Sequence, residues 1–199
     1  MTRSQTVLLT AFFFVSGARA AGVAGPPAPA IRIYVYSSSD VRASLLEYSE
    51  SEAARILRPA QLRLEWINCL PEASVQPCLS PHFPGEMILR LVPKAWPEVK
   101  PNVFGFADSS SGRPAAFVFY DRALSLQGAN RFLFIILGRI LAHEITHLLL
   151  PQEGHRSQGL MRARWTTSDL DFSNTDQLRL SARAIQLMHT QASRGTDAH

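Results

Sequence analysis

Between about Asn130 and Leu150 the chain is almost continuously apolar, yet the run carries Arg139, His143, Glu144 and His147. An apolar stretch of that length suggests a membrane span. Ionisable side chains at mid-membrane are costly, however, whereas a helix buried at the centre of a domain can carry them if they coordinate a metal or line a cleft. The run is therefore expected to be a core helix ended by Pro151. A membrane-anchored structural protein that spans the bilayer with residues 130–150 is the competing reading. At 199 residues, 46% apolar and 18% charged, the chain is long enough to build one domain with a full core around such a helix.

Residues 1–20 stand apart from that domain. Arg3 lies in a short polar start, Val7 to Val15 is mostly apolar, and Ala18-Arg19-Ala20 has the small-x-small pattern of a signal-peptidase site. The apolar run is short for a span, so a signal peptide cleaved after Ala20 is expected, with a single-pass anchor as the alternative. Residues 21–30, with Pro26, Pro27 and Pro29, read as a flexible lead-in, and 31–199 as a single domain of a secreted or periplasmic protein. Losing Arg3 and Arg19 brings the formal charge from +4 to +2, too weak a balance to indicate nucleic acid as a partner. Arg156, Arg162 and Arg164 crowd together and are read as a solvated rim ahead of substrate contacts. No oligomer signal is visible, and a monomer is expected. Cys69 and Cys78 flank a Pro-rich loop and, in an exported chain, suggest one disulfide contributing about 2–3 kcal/mol. Two unpaired thiols are the alternative, and the absence of a CxxC argues against a cysteine zinc site.

Patterning predicts a strand over Ile31–Tyr36 and a helix capped by Ser38–Asp40 and running to about Leu57, where Pro59 stops it. Further strands are predicted over Leu62–Cys69, Met87–Val92, Val103–Ala107 and Ala115–Tyr120, with an irregular loop from Leu70 to Gly85. A final helix from about Thr175 to Met188 can be capped by Ser173 or Asn174. Strands gathered ahead of a central helix suggest an α+β fold, a twisted mixed sheet packed on helices. Tyr120, Asp121 and Arg139 are read as structural.

The chemistry is concentrated in His143-Glu144-Ile145-Thr146-His147. Residues i and i+4 lie one turn apart on the same helix face, so both imidazoles can reach one Zn²⁺. Glu144 is rotated about 100° from His143 and can take a proton from a metal-bound water without occupying the metal. Catalytic zinc usually takes three protein ligands, and His155 is the candidate for the third, with Gly154 allowing a sharp turn after the helix. Glu153, Asp169 and Asp171 compete with it.

These residues resemble the metzincin zinc peptidases, whose pattern is HExxH, a glycine turn, a third histidine and a methionine-containing turn. His143-Glu144-x-x-His147, Gly154-His155 and Gly159-Leu160-Met161 follow in that order, although seven residues separate His147 from His155 and Leu150 stands where the glycine is expected. The turn into the third ligand must therefore be built differently. The resemblance implies a zincin-like catalytic domain, Met161 as the floor beneath the metal, and Phe104-Gly105-Phe106 in an edge strand bordering the cleft. Together with the signal peptide expected at residues 1–20, it implies a secreted zinc-dependent metalloendopeptidase that hydrolyses peptide or protein substrates with Glu144 as general base. The alternative is a non-catalytic or degenerate zinc-binding domain that holds a protein partner in its cleft.

Overall fold

The computed structural model describes residues 30–37, 41–71, 78, 86–110, 113–126, 132–165 and 178–196. The signal-peptide reading, the caps suggested at 38–40 and at 173–174, and the candidate ligands Asp169 and Asp171 fall outside these residues.

Five strands form one mixed sheet in the order β2-β1-β3-β5-β4. They are β1 Ala30–Ser37, β2 Arg63–Cys69, β3 Met87–Val92, β4 Gly105–Asp108 and β5 Ala115–Phe119. β1 pairs in parallel with β2 and β3, and β3 with β5, while β4 runs antiparallel to β5 and forms one edge. Among the described residues four α-helices accompany the sheet: α1 Ala43–Leu57, α2 Tyr120–Ser125, α3 Leu133–Leu149 and α4 Ala182–Thr196. The expected α+β class holds.

Period-two alternation decides which face of the sheet meets the helices. Ile31, Ile33 and Val35 of β1, Met87, Leu89 and Leu91 of β3, and Ala116 and Val118 of β5 join the core built with α1 and α3. The opposite face is polar and aromatic. There Glu86 accepts hydrogen bonds from Arg32 and Tyr34, Arg90 lies over the Tyr36 ring, and Trp96 packs against Phe106, Phe117 and Phe119.

α3 is the central element. All its residues except Phe134 and His147 are buried, which explains an apolar run with no solvent face. It spans about 26 Å, short of a hydrocarbon core of about 30 Å. Among the described residues no helix is long and apolar enough to cross a membrane. α3 packs closely on α1 at Gly138, where a Cβ would come within 2.6 Å of the Ser49 carbonyl. Arg139 beside it is fully buried, and its Nε lies 3.8 Å from Glu52 on α1.

Several boundaries differ from expectation. α1 begins at Ala43 with Arg42 at its N-cap and no side-chain cap bond, and after Leu57 the chain makes a 3₁₀ turn over Arg58–Ala60 that closes with Gln61 at φ 55°. The residues after β5 wind into the short helix α2, in which the Asp121 carboxylate accepts the backbone N–H of Ala95. The last helix starts at Ala182 rather than near Thr175, because Leu178 and Leu180 are drawn into the core ahead of it and Ser181 Oγ accepts the N–H of Ala184. Cys69 and Cys78 form the expected disulfide.

Glu50 of α1 is buried with Oε1 unpartnered, although its carboxylate takes one hydrogen bond from Asn68 of β2, whose own Oδ1 is unpartnered. Burial pushes the carboxyl from 4.5 up to about 7. Because the folded value lies above the unfolded one, this group's contribution to stability is fully present below about pH 4.5 and is lost as pH rises through 7. Glu50→Gln, whose amide can donate to Asn68 Oδ1, is expected to stabilise the fold by about 1–2 kcal/mol at pH 8, after discounting for solvent, and by little at pH 4. Thermal melts of both proteins across that range check the sign. A variant no more stable than wild type at pH 8 refutes it.

Candidate metal centre

α3 supplies His143 and His147 from successive turns of one face. The chain must then reverse to bring His155 alongside. Pro151 forbids continuation of the helix, Leu150 before it takes a non-helical conformation at φ −128° and ψ 64°, and the N–H of Glu153 returns to the Leu150 carbonyl. Gly154, expected to make the turn, is not in the left-handed region, and a Cβ there would meet open space. The glycine that needs its freedom is Gly159, at φ +76°, where a Cβ would come within 2.6 Å of the Arg179 carbonyl. Around it the segment is stitched by Arg156 N–H to Met161 O (2.7 Å) and Leu160 N–H to Arg179 O (3.2 Å).

The outcome is a triangle of ring nitrogens. Nε2 of His143 lies 3.2 Å from Nε2 of His147 and 3.3 Å from that of His155, and the last two are 3.3 Å apart. Nδ1 of His143 lies 2.7 Å from the Leu160 carbonyl, an acceptor, so Nδ1 carries the proton and the neutral ring has a bare lone pair on Nε2. Burial, joined by the neighbouring imidazoles, holds the pKa of His143 down at about 4, and burial with His155 beside it does the same for His147. Three imidazole nitrogens converging this closely, with the His143 proton committed to the Leu160 carbonyl, are poorly served by hydrogen bonds alone. They suit a cation: a tetrahedral ion with metal–nitrogen bonds of about 2.0–2.1 Å holds its ligand atoms about 3.3 Å apart and leaves a fourth position open.

Glu144 does not join the triangle. It is 3% exposed, Oε2 has no hydrogen-bond partner, and burial pushes its pKa from 4.5 up to about 8. Its Oε1 rests against β4, where a Cβ on Gly105 would lie 2.7 Å from that oxygen and 2.6 Å from the Phe117 carbonyl. Only a glycine leaves the carboxyl this seat.

Of the competing carboxylates, Glu153 is engaged elsewhere, by Arg156 and by Arg183. Met161 is buried in the core immediately after Leu160. The sheet edge formed by β4 borders the histidines: a cavity of about 340 Å³ runs past Val103, Gly105, Ala107, Glu144, His147 and His155. A smaller one, of about 80 Å³, lies beside it and is walled by Arg162 and Trp165. The Trp165 ring meets His143 edge-on, with centroids 5.3 Å apart. Sequence reasoning missed Trp165 and took Arg162 for rim. The only signal was their position just past Met161, on a segment that had to fold back over the helix.

No family model and no curated protein matches the sequence. Among solved structures, the chain is similar to a zinc-dependent peptidase from Methanocorpusculum labreanum, with 17% identity over 78% of this chain and 99% of that one at a TM-score of 0.56. It is also similar to an archaemetzincin from Methanopyrus kandleri, with 16% identity over 85% and 99% of the two chains at a TM-score of 0.55. Nearly the whole of each neighbour is matched, so this chain has the fold of these two proteins.

Proposed function

We propose that the protein is an exported zinc-dependent metalloendopeptidase, with His143, His147 and His155 as metal ligands and Glu144 as general base. The observation that carries this reading is the triangle of Nε2 atoms at tetrahedral ligand spacing beside a buried carboxylate whose Oε2 has no hydrogen-bond partner. The fold neighbour from Methanocorpusculum labreanum, a zinc-dependent peptidase, supports the choice of metal and of substrate. Bound zinc supplies Lewis acidity, polarising a carbonyl and lowering the pKa of water towards neutrality.

The chain's own residues account for the remainder. The Leu160 carbonyl fixes the tautomer of His143 and orients its ring. Glu144 accepts the proton of the attacking water at Oε2 and passes it to the leaving amine. The edge strand β4 offers backbone donors and acceptors to an extended peptide lying along the larger cavity. The signal peptide expected at residues 1–20 would carry the enzyme to the periplasm or beyond.

The direct test is incubation of the zinc-loaded protein with an unfolded polypeptide. Internal cleavage is expected, lost on chelation and restored by zinc. A protein that holds one zinc and cleaves nothing in a broad peptide mixture would refute the activity.

Gly105→Ala provides a second check. The added methyl must displace either the Glu144 carboxylate or the strand, and a misplacement of about 1 Å can cost about 100-fold in rate. Turnover is expected to fall by roughly that factor while zinc content is unchanged, since no ligand is touched. Full activity in this variant would show that the carboxyl does not depend on its seat.

A further inference from the structure

We propose that the larger cavity is a side-chain pocket for one large uncharged residue of the substrate beside the scissile bond, and that Ala107 sets its size. The inference rests on the peptidase reading and adds a substrate class to it.

The two cavities share His143, Glu144 and His155 and diverge from the metal centre, the smaller towards Ile140 and Trp165, the larger towards His147 and Pro151. The larger one therefore receives what lies on one side of a bond held at the metal. One of its walls is β4. Side chains alternate along a strand, so Ala107 shares a face with Gly105, whose Cβ position lies 2.7 Å from Glu144 Oε1 and so points at α3. Ala107 accordingly turns its methyl to the helix side of the sheet, where it is half-buried against the core and lines the cavity. Beyond the metal centre the described lining is Val103, Gly105, Phe106, Ala107, Pro151 and Ser109, with no Lys, Arg or Asp among them.

Uncharged walls decide what can sit there. An ionised side chain would give up its hydration and, the metal centre aside, would find in return only the hydroxyl of Ser109, which is itself exposed. An apolar side chain gives up nothing and gains burial against Val103, Ala107 and Pro151. A volume of about 340 Å³ falls within the range of pockets that enclose small ligands, which is room for a leucine, methionine or phenylalanine side chain. The alanine leaves that room open, and a longer side chain at the same position would occupy it.

The test uses a degenerate octapeptide mixture. Products made by the zinc-loaded protein are sequenced, and peptides retained by zinc-loaded Glu144→Gln are read by mass spectrometry, so that binding is measured without turnover. Expected is enrichment of Leu, Met and Phe over Asp, Glu, Lys and Arg of about tenfold, at one position beside the cut and among the retained peptides. Ala107→Leu should keep its zinc and move the preference to Gly, Ala and Ser, losing the large residues by about tenfold. Ser109→Glu, at an exposed position that puts little at stake in folding, should admit Lys and Arg about threefold better, an effect that salt removes.

Cleavage and retention indifferent to apolar residues at every position would overturn the pocket and leave the peptidase standing. So would an unchanged preference in a folded, zinc-loaded Ala107→Leu. If that variant does not fold, Ser109→Glu decides, and its continued rejection of Lys and Arg at low salt would overturn the pocket. Neither cleavage nor retention of any peptide would remove the peptidase reading itself.

Discussion

Glu144→Gln is expected to keep about one zinc per chain and to lose at least about 100-fold in turnover. General bases contribute about 10²–10⁴-fold, and here no other described side chain is placed to replace the one removed. Glutamine preserves the volume and the contact with Gly105 but cannot accept the proton. The carboxylate stands outside the Nε2 triangle, so metal content should not follow activity down. Steady-state kinetics on a quenched peptide, with elemental analysis of the same sample, separates the two quantities. Turnover within a few-fold of wild type would remove Glu144 from the chemistry, and loss of zinc would make it a structural support of the site.

His155→Ala is expected to weaken zinc binding by more than the 10–100-fold typical of losing a residue that merely orients a ligand. Two imidazoles on one helix leave a tetrahedral ion half open, and the Nε2 contacts of 3.3 Å to His143 and His147 have no substitute. Glu153→Ala is the matched control, because its carboxylate is held by Arg156 and Arg183, and its loss should leave affinity within a few-fold. Competition with a chromophoric chelator gives both constants. The reverse pattern would move the third ligand to a carboxylate.

The His143–His147 pair and the helix bearing it could be read from the chain because both are local: i,i+4 spacing and an unbroken apolar run have one geometric meaning each. The five strands and the disulfide were legible for the same reason. Strand order was not, since alternation marks a face and carries no information about which neighbour lies across it.

The approach to His155 was misread in mechanism though not in residue. A glycine beside the ligand looked like the turn, but Leu150 and Pro151 reverse the chain, and the glycine that needs its freedom is Gly159, opposite the Arg179 carbonyl. The seat of Glu144 on Gly105 and the burial of Leu178 and Leu180 ahead of α4 depend on residues far apart in sequence. Such contacts exist only after packing, and no window of sequence displays them.

Leu160 occupies a position whose effect reaches beyond the site. Its carbonyl accepts a hydrogen bond from His143 Nδ1–H while its own N–H donates to the carbonyl of Arg179, which precedes a helix anchored in the core through Ala184 and Met188. Ion binding and docking of this C-terminal segment are therefore linked equilibria. An ion held only by the docked form resists its local unfolding by about 4 kcal/mol at a thousandfold excess over Kd. The reciprocal holds as well: loss of the Arg179 carbonyl contact by fraying or nicking would register as lost metal affinity. In this chain the C-terminal helix acts as a clasp on the metal centre.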